Sequence, residues 1–309
     1  MVDWTYNHFR VLMRLLAPHA LLYTEMQHTA MVINNPQRAL AFHPMESPLT
    51  LQLGGNEPKT LAACAIIAER AGFAEVNLNL GCPSDRVKAG QFGACLMAHS
   101  PLVMDCIAAM KDAVKIPVSA KIRIGIDQQD SYDFFADFAY GLVTAGCDKL
   151  IVHARKAWLN GLSPKQNRTI PPLHYDYVYR LKQSLPGIPI VINGNICTFE
   201  DVTTHLSRVN GVMIGRLAYE QPYRIAQLHH ALYPEYALPT RRDILCAYLS
   251  YLQTSGYLHS PTVSRSLILK PIYQLAHGLP EAKRWKAYLT QKRQQHHLIL
   301  QPGVALGGG

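Results

Sequence analysis

The sequence predicts an α/β protein: a (β/α)₈ TIM barrel whose first strand is apparently missing, followed by an all-helical C-terminal domain. Three observations predict it. Short β-rich runs alternate with amphipathic helical patterns through the first 220 residues or so, which implies a parallel sheet covered by helices. The polar residues that carry chemistry fall at the ends of those runs. After Tyr219 the strand pattern stops and only helical periodicity continues.

Seven runs read as strands: residues 20–24, 49–54, 75–81, 118–125, 149–155, 188–196 and 211–218. They are near-continuously apolar, as in Leu150-Ile151-Val152, which suits strands buried on both faces. Helical patterns cover 60–71, 101–114, 132–145 and 199–208. The opening stretch from Trp4 to Leu16 already reads as the helix that follows a strand. Seven strands do not close an eight-stranded barrel, so the expected first strand lies upstream of Met1. The alternative is an open doubly wound sheet. Three helices are expected in the last quarter, over 241–255, 262–276 and 281–294. Ile244, Leu245, Tyr248, Leu249 and Leu252 share one face of the first of these. Domain boundaries follow: 1–225 for the barrel, 226–302 for the helical domain, and a disordered tail over 303–309.

The 309 residues carry a formal charge of +9. From residue 226 onward nine Lys and Arg stand against three acids, so six of those positive charges lie in the last quarter. A basic tail domain fits a polyanion partner or a solvated helical surface. No apolar run reaches the length of a membrane span, and the first residues lack a signal-peptide pattern. The seven cysteines are scattered, with no C-x-x-C pair. That usage predicts reduced thiols, a cytoplasmic protein, and neither a disulfide framework nor a metal site.

Strand carboxyl ends open onto the active face of a barrel. Reading them in order gives Gln52, Asn79 and Cys82, Lys121 and Arg123, His153 and Arg155, Asn193-Gly194-Asn195, and Gly215-Arg216. Such a convergent polar set on apolar strands marks an enzyme site. Gly194 and Gly215 are either ordinary tight turns or backbone phosphate sites with Arg216 adding charge. Lys121 lies in a buried-looking strand and needs a carboxylate or an anionic cofactor. Cys82 and Cys95 compete as the working thiol. An ordinary thiol, with a pKa of about 8.5, is protonated at neutral pH and can serve as a general acid.

The runs LQLGG at 51–55, NLNLGCPSDRV at 77–87, KIRIGI at 121–126, HARKAWL at 153–159 and SPKQNR at 163–168 resemble those of the tRNA-dihydrouridine synthases. The resemblance covers nearly the whole chain. It is strongest to the subfamily acting on D-loop uridines 20 and 20a. It implies an FMN-binding barrel, a helical domain that grips tRNA, NADPH or NADH as reductant, and no obligate protein partner. Gln52, Lys121, His153, Asn193, Gly194, Asn195, Gly215 and Arg216 would bind FMN. Cys82 would donate the proton and Asn79 would contact the substrate. Lys165 and Arg168 would reach tRNA. Lys270 falls where that subfamily has arginine; lysine keeps the charge but loses the bidentate fork. Family members begin with a strand ending in Ala-Pro-Met, whose turn touches FMN. Here only Met1 of that turn survives, followed by Val2, and a truncated or misassigned start is expected. Two other readings fit the residues less well: a barrel flavoprotein reducing a free pyrimidine, and an inactive RNA-binding fragment.

Overall fold

A computed structural model describes residues 1–258, 260 and 263–294. The tail over 303–309, expected to be disordered, lies outside the described residues. The structure has the expected architecture: a seven-stranded barrel-type sheet with flanking helices, and a helical C-terminal region. The strands are β1 Leu22–His28, β2 Leu49–Gly54, β3 Glu75–Leu80, β4 Val118–Arg123, β5 Lys149–His153, β6 Ile190–Asn193 and β7 Gly211–Met213. They are neighbours in sequence order, with β1 and β7 at the two ends of that order. From β2 to β7 all pairings are parallel.

The first strand runs four residues further than its sequence pattern suggests. Glu25, Gln27 and His28 belong to it although they lack β propensity. Its partner β2 has all six residues buried, and pairing with such a strand overrides local preference.

In register, Gln52 stands beside Asn77, Asn77 beside Ser119, Asn79 beside Lys121, and Arg123 beside His153, which stands beside Asn193. Paired residues of parallel strands point to the same face. One face is therefore polar. The other carries Leu51, Leu53, Val76, Leu78, Leu80, Ala120, Ile122, Leu150, Val152, Ile190 and Ile192, all buried. The expectation of strands apolar on both faces holds for the centre of β5 but fails for β3 and β4, where every second residue is polar. Those polar groups tolerate burial because they are hydrogen-bonded to one another.

The chain forms two compact units. One comprises Met1, Tyr23–Phe42 and Ser47–Ile214; it holds the sheet and its crossover helices. Among them, Pro58–Arg70 buries Leu61, Cys64 and Ala65, and Tyr132–Thr144 buries Phe135, Phe138 and Leu142. The other unit comprises Val2–Leu22, His43–Glu46 and Gly215–Gly309. There the helix Asn7–Leu16 shares a core with Arg241–Thr254 and Ala282–Gln294. Phe9, Leu12, Leu16, Tyr248, Leu252, Trp285 and Leu289 are buried together. The single helix expected over 262–276 is instead Arg265–Leu269 followed by a 3-10 turn, Lys270–Gln274. Pro271 lacks the N–H needed to continue the α-helix. Residue 262 lies outside the described residues.

Candidate active site

The loop that closes β3 is built around Asn79. Its Oδ1 accepts the backbone N–H of Cys82 at 3.0 Å and of Gly81 at 3.2 Å. The Cys82 carbonyl accepts the N–H of Ala94 at 2.9 Å. Gly93 makes that approach possible, with φ +76° and room for no side chain: a Cβ would stand 2.6 Å from the Cys82 oxygen. We expect Gly93→Ala to destabilise the fold by about 1–3 kcal/mol. It should also displace the Cys82 loop, read as a changed alkylation rate at that thiol. The Cys82 thiol is half-buried and meets Ser84 Oγ at 3.5 Å. Cys95 differs. Its thiol donates to the Phe92 carbonyl at 3.2 Å, and burial pushes its pKa up. Its hydrogen is thus engaged within its own turn.

Lys121 is half-buried next to Asn79 in register. Its Nζ donates to Asn193 Oδ1 at 3.3 Å. Among the described residues it forms no ion pair with a carboxylate. Burial, with the Arg123 charge adding to it, lowers its pKa to about 8. Asn193 passes the contact on, donating to the Met213 carbonyl at 2.7 Å. Beyond it, Gly194 and Asn195 both have positive φ, 134° and 54°. A Cβ at Gly194 would stand 3.2 Å from the His153 ring. Lys121, His153, Asn193 and Gly194 are therefore brought together in one unit.

Arg123 was legible as polar, but its task was not. Its Nε donates to the Gly81 carbonyl at 2.8 Å, and Nη1 donates to the carbonyls of Lys156 and Asn167, both at 2.9 Å. Burial lowers its pKa to about 10, so it stays charged at neutral pH. One guanidinium thus ties the Cys82 loop to the loop that follows β5. Asn167 is the anchor on the far side: buried, accepting the Trp158 N–H at 2.8 Å and donating to the Trp158 and Leu162 carbonyls. Around it Lys165 and Arg168 are both exposed. Lys156 pins the same loop by its ion pair with Asp130 at 2.6 Å and lies 4.3 Å from the Trp158 ring centre.

Gln52 is buried, with both ends of its amide engaged: Nε2 donates to Asn77 Oδ1 at 2.9 Å and Oε1 accepts from Asn79 at 2.8 Å. The sequence reading passed over Asn77, Ser119 and Glu75. The signal for them was the period-two spacing of polar residues along 75–79 and 119–123. Met1 and Val2 are exposed. In the second unit, Gly215 caps the short helix Arg216–Glu220. Lys270 there lies 4.1 Å from the Trp4 ring centre and donates to the Asp3 carbonyl.

A parallel barrel sheet whose polar residues gather at the strand ends around a presented thiol is the framework of an enzyme. The family model for "Dihydrouridine synthase (Dus)" matches residues 1–302. A Shewanella oneidensis protein named tRNA-dihydrouridine(20/20a) synthase is 47% identical over 301 residues, covering 96% of this chain and 88% of its own. Proteins of the same name from Xanthomonas campestris pv. campestris and Synechocystis are 49% and 47% identical. Each covers 94% of this chain and 86% of its own. The chain belongs to the dihydrouridine synthase family. Among solved structures, a 2-naphthoyl-CoA reductase complex superposes with a TM-score of 0.56 at 8% identity, over 74% of this chain and 46% of its own; the likeness is one of fold.

Proposed function

We propose that this protein reduces the 5,6-double bond of uridine to dihydrouridine at positions 20 and 20a of the tRNA D-loop, with FMN as cofactor and NADPH as reductant. The observation that carries this reading is the pairing of Cys82 with Lys121. Cys82 lies in the loop that closes β3, and the neighbouring strand β4 carries a half-buried ammonium without a carboxylate partner among the described residues. An ammonium so placed suits an anion, and a reduced flavin ring is one. Gln52, His153, Asn193, Gly194 and Asn195, with Met1, would hold the cofactor. When bound, the flavin supplies the hydride that uracil C6 accepts from N5. Cys82 delivers a proton to C5, Lys121 stabilises negative charge, and Asn79 orients the Cys82 loop and meets the base. The target uridine must leave its stack to reach this mouth.

Lys165, Arg168 and Lys270 would contact tRNA, with 1–225 as the catalytic domain and 226–302 as the tRNA-binding domain. Of these, Lys165 and Arg168 are the exposed pair, and Lys270 is occupied with Trp4 and Asp3. No helix among the described residues is long and apolar enough to cross a membrane, and the proposed substrate places the protein in the cytoplasm.

The test is dihydrouridine in tRNA from cells lacking it, after incubation with the flavin-loaded protein and NADPH, measured by mass spectrometry. Reduction of free uracil or uridine but not of tRNA would overturn the reading. NADH in a parallel arm decides the nicotinamide. Substituting both Lys165 and Arg168 by alanine should lower the slope of log affinity against log salt by about 2. Turnover at saturating tRNA should survive the change.

A further inference from the structure

Beneath Asn79 lies a continuous hydrogen-bonded chain along the polar face of the sheet. Lys149 Nζ is ion-paired with Glu75 Oε2. Glu75 Oε1 accepts the Ser119 hydroxyl at 2.5 Å and the Tyr23 hydroxyl at 3.4 Å. Ser119 Oγ accepts Asn77 Nδ2 at 2.8 Å. Asn77 Oδ1 accepts Gln52 Nε2 at 2.9 Å, and Gln52 Oε1 accepts Asn79 Nδ2 at 2.8 Å. Asn79 Oδ1 then holds the N–H groups of Gly81 and Cys82. Glu75, Asn77 and Ser119 are buried.

We propose that Glu75, Ser119 and Asn77 are positioning residues: from the far end of this chain they set which way Asn79 presents its amide to the Cys82 loop. A carboxylate can only accept. Ser119 must therefore give its one proton to Glu75, and its lone pair takes the Asn77 NH₂. That turns the Asn77 oxygen toward Gln52, the Gln52 oxygen toward Asn79, and the Asn79 oxygen toward Cys82. A primary amide turned by 180° keeps its shape, so packing alone does not choose the direction. The charge pair sets it from the buried end, in agreement with the two N–H groups that need an acceptor at the Asn79 end, because any reversed link sets two donors or two acceptors face to face among buried groups. The catalytic value of this device rests on the reading of Cys82 as proton donor. Its existence does not.

The direction can be inverted. In Glu75→Gln the new amide keeps its carbonyl on Lys149 and turns its NH₂ on Ser119. The hydroxyl proton then goes to Asn77, each amide turns, and Asn79 offers NH₂ to the N–H of Cys82. Exchange of the Cys82 amide with deuterium should quicken about tenfold, the worth of one lost hydrogen bond. Asn79→Asp alone should leave that exchange no faster than in wild type, because either carboxylate oxygen accepts the Cys82 N–H. Glu75→Gln combined with Asn79→Asp restores a consistent chain running the other way, with one oxygen of the new carboxylate on Gln52 and the other on Cys82. Its Cys82 exchange should return to within about threefold of wild type. A merely structural role for Glu75 would leave the double variant exchanging as fast as Glu75→Gln alone. That outcome overturns the proposal, as does unchanged exchange in Glu75→Gln.

If Glu75→Gln does not fold, Ser119→Ala serves. It removes the link that imposes direction, so Cys82 exchange should quicken by up to about tenfold and fall back when Asn79→Asp is added; unchanged exchange in Ser119→Ala overturns the proposal. Exchange is measured without tRNA or NADPH. A wild type that makes no dihydrouridine would thus remove the proposed function while leaving the relay to be judged separately.

Discussion

Replacing Cys82 by alanine should lower tRNA reduction by about 10²- to 10⁴-fold, the usual contribution of a positioned proton donor. Reduction of the bound flavin by NADPH should proceed as in wild type, because the thiol is assigned only to the second half of the reaction. Stopped-flow spectra separate the two halves. The large effect is expected because four of the six other thiols are engaged or buried. Cys95 donates to the Phe92 carbonyl, and burial raises its pKa. Cys64, Cys106 and Cys147 are buried with pKa values pushed up to between about 11 and 12. A Cys82→Ala protein with full tRNA turnover would return the role to Cys95 or to solvent.

Replacing Lys121 by methionine should have two effects of opposite sign. Without cofactor the variant should be the more stable protein near neutral pH. The ammonium has a pKa of about 8 in the fold against the ordinary 10.5. A group with a depressed cationic pKa costs stability wherever it is charged in both states, below about pH 8. The cost fades as pH rises toward 10.5, where the open chain still holds the proton that the fold has released. The difference corresponds to roughly 3 kcal/mol at most, and to less because Lys121 keeps some contact with water. Wild-type melts should therefore gain on the variant between about pH 8 and 10.5. With cofactor the order reverses. The variant should hold flavin more weakly and reduce it roughly 10²-fold more slowly, since a preorganised charge opposite a developing anion is lost. Parallel melting curves across that pH range, or unimpaired flavin retention, would show that Lys121 has another task.

The barrel was legible in the sequence because its strands and crossovers have different periods, and the strand ends could be read directly. Local pattern did not separate the two thiols, since Cys82 and Cys95 both sit in Gly-flanked turns; the family resemblance chose Cys82, and the Phe92 carbonyl that the fold brings to the Cys95 thiol is consistent with that choice. The layer beneath the site escaped for a different reason. Glu75, Asn77 and Ser119 each read as an isolated polar exception in an apolar strand, because their partners lie 25 to 74 positions away in sequence. Only the register of four strands, β2 to β5, makes them one system. Lys270 was placed by the family resemblance alone; in the structure its ammonium lies over the Trp4 ring and donates to the Asp3 carbonyl of its own unit, contacts between positions far apart in sequence.

The helix Asn7–Leu16 buries Phe9, Val11, Leu12, Met13 and Leu16 in a core whose other members come from residues 218–289. A ribosome adding about 5–20 residues per second needs on the order of 10–40 s to make the intervening chain. Through that interval the apolar stripe emerges without the partners it will have in the finished protein. A nascent chain of this kind offers the cell's folding machinery a hydrophobic helix early and long. Interruptions of synthesis anywhere before the last helices would leave that stripe uncovered, and should be answered by chaperone capture or by proteolysis.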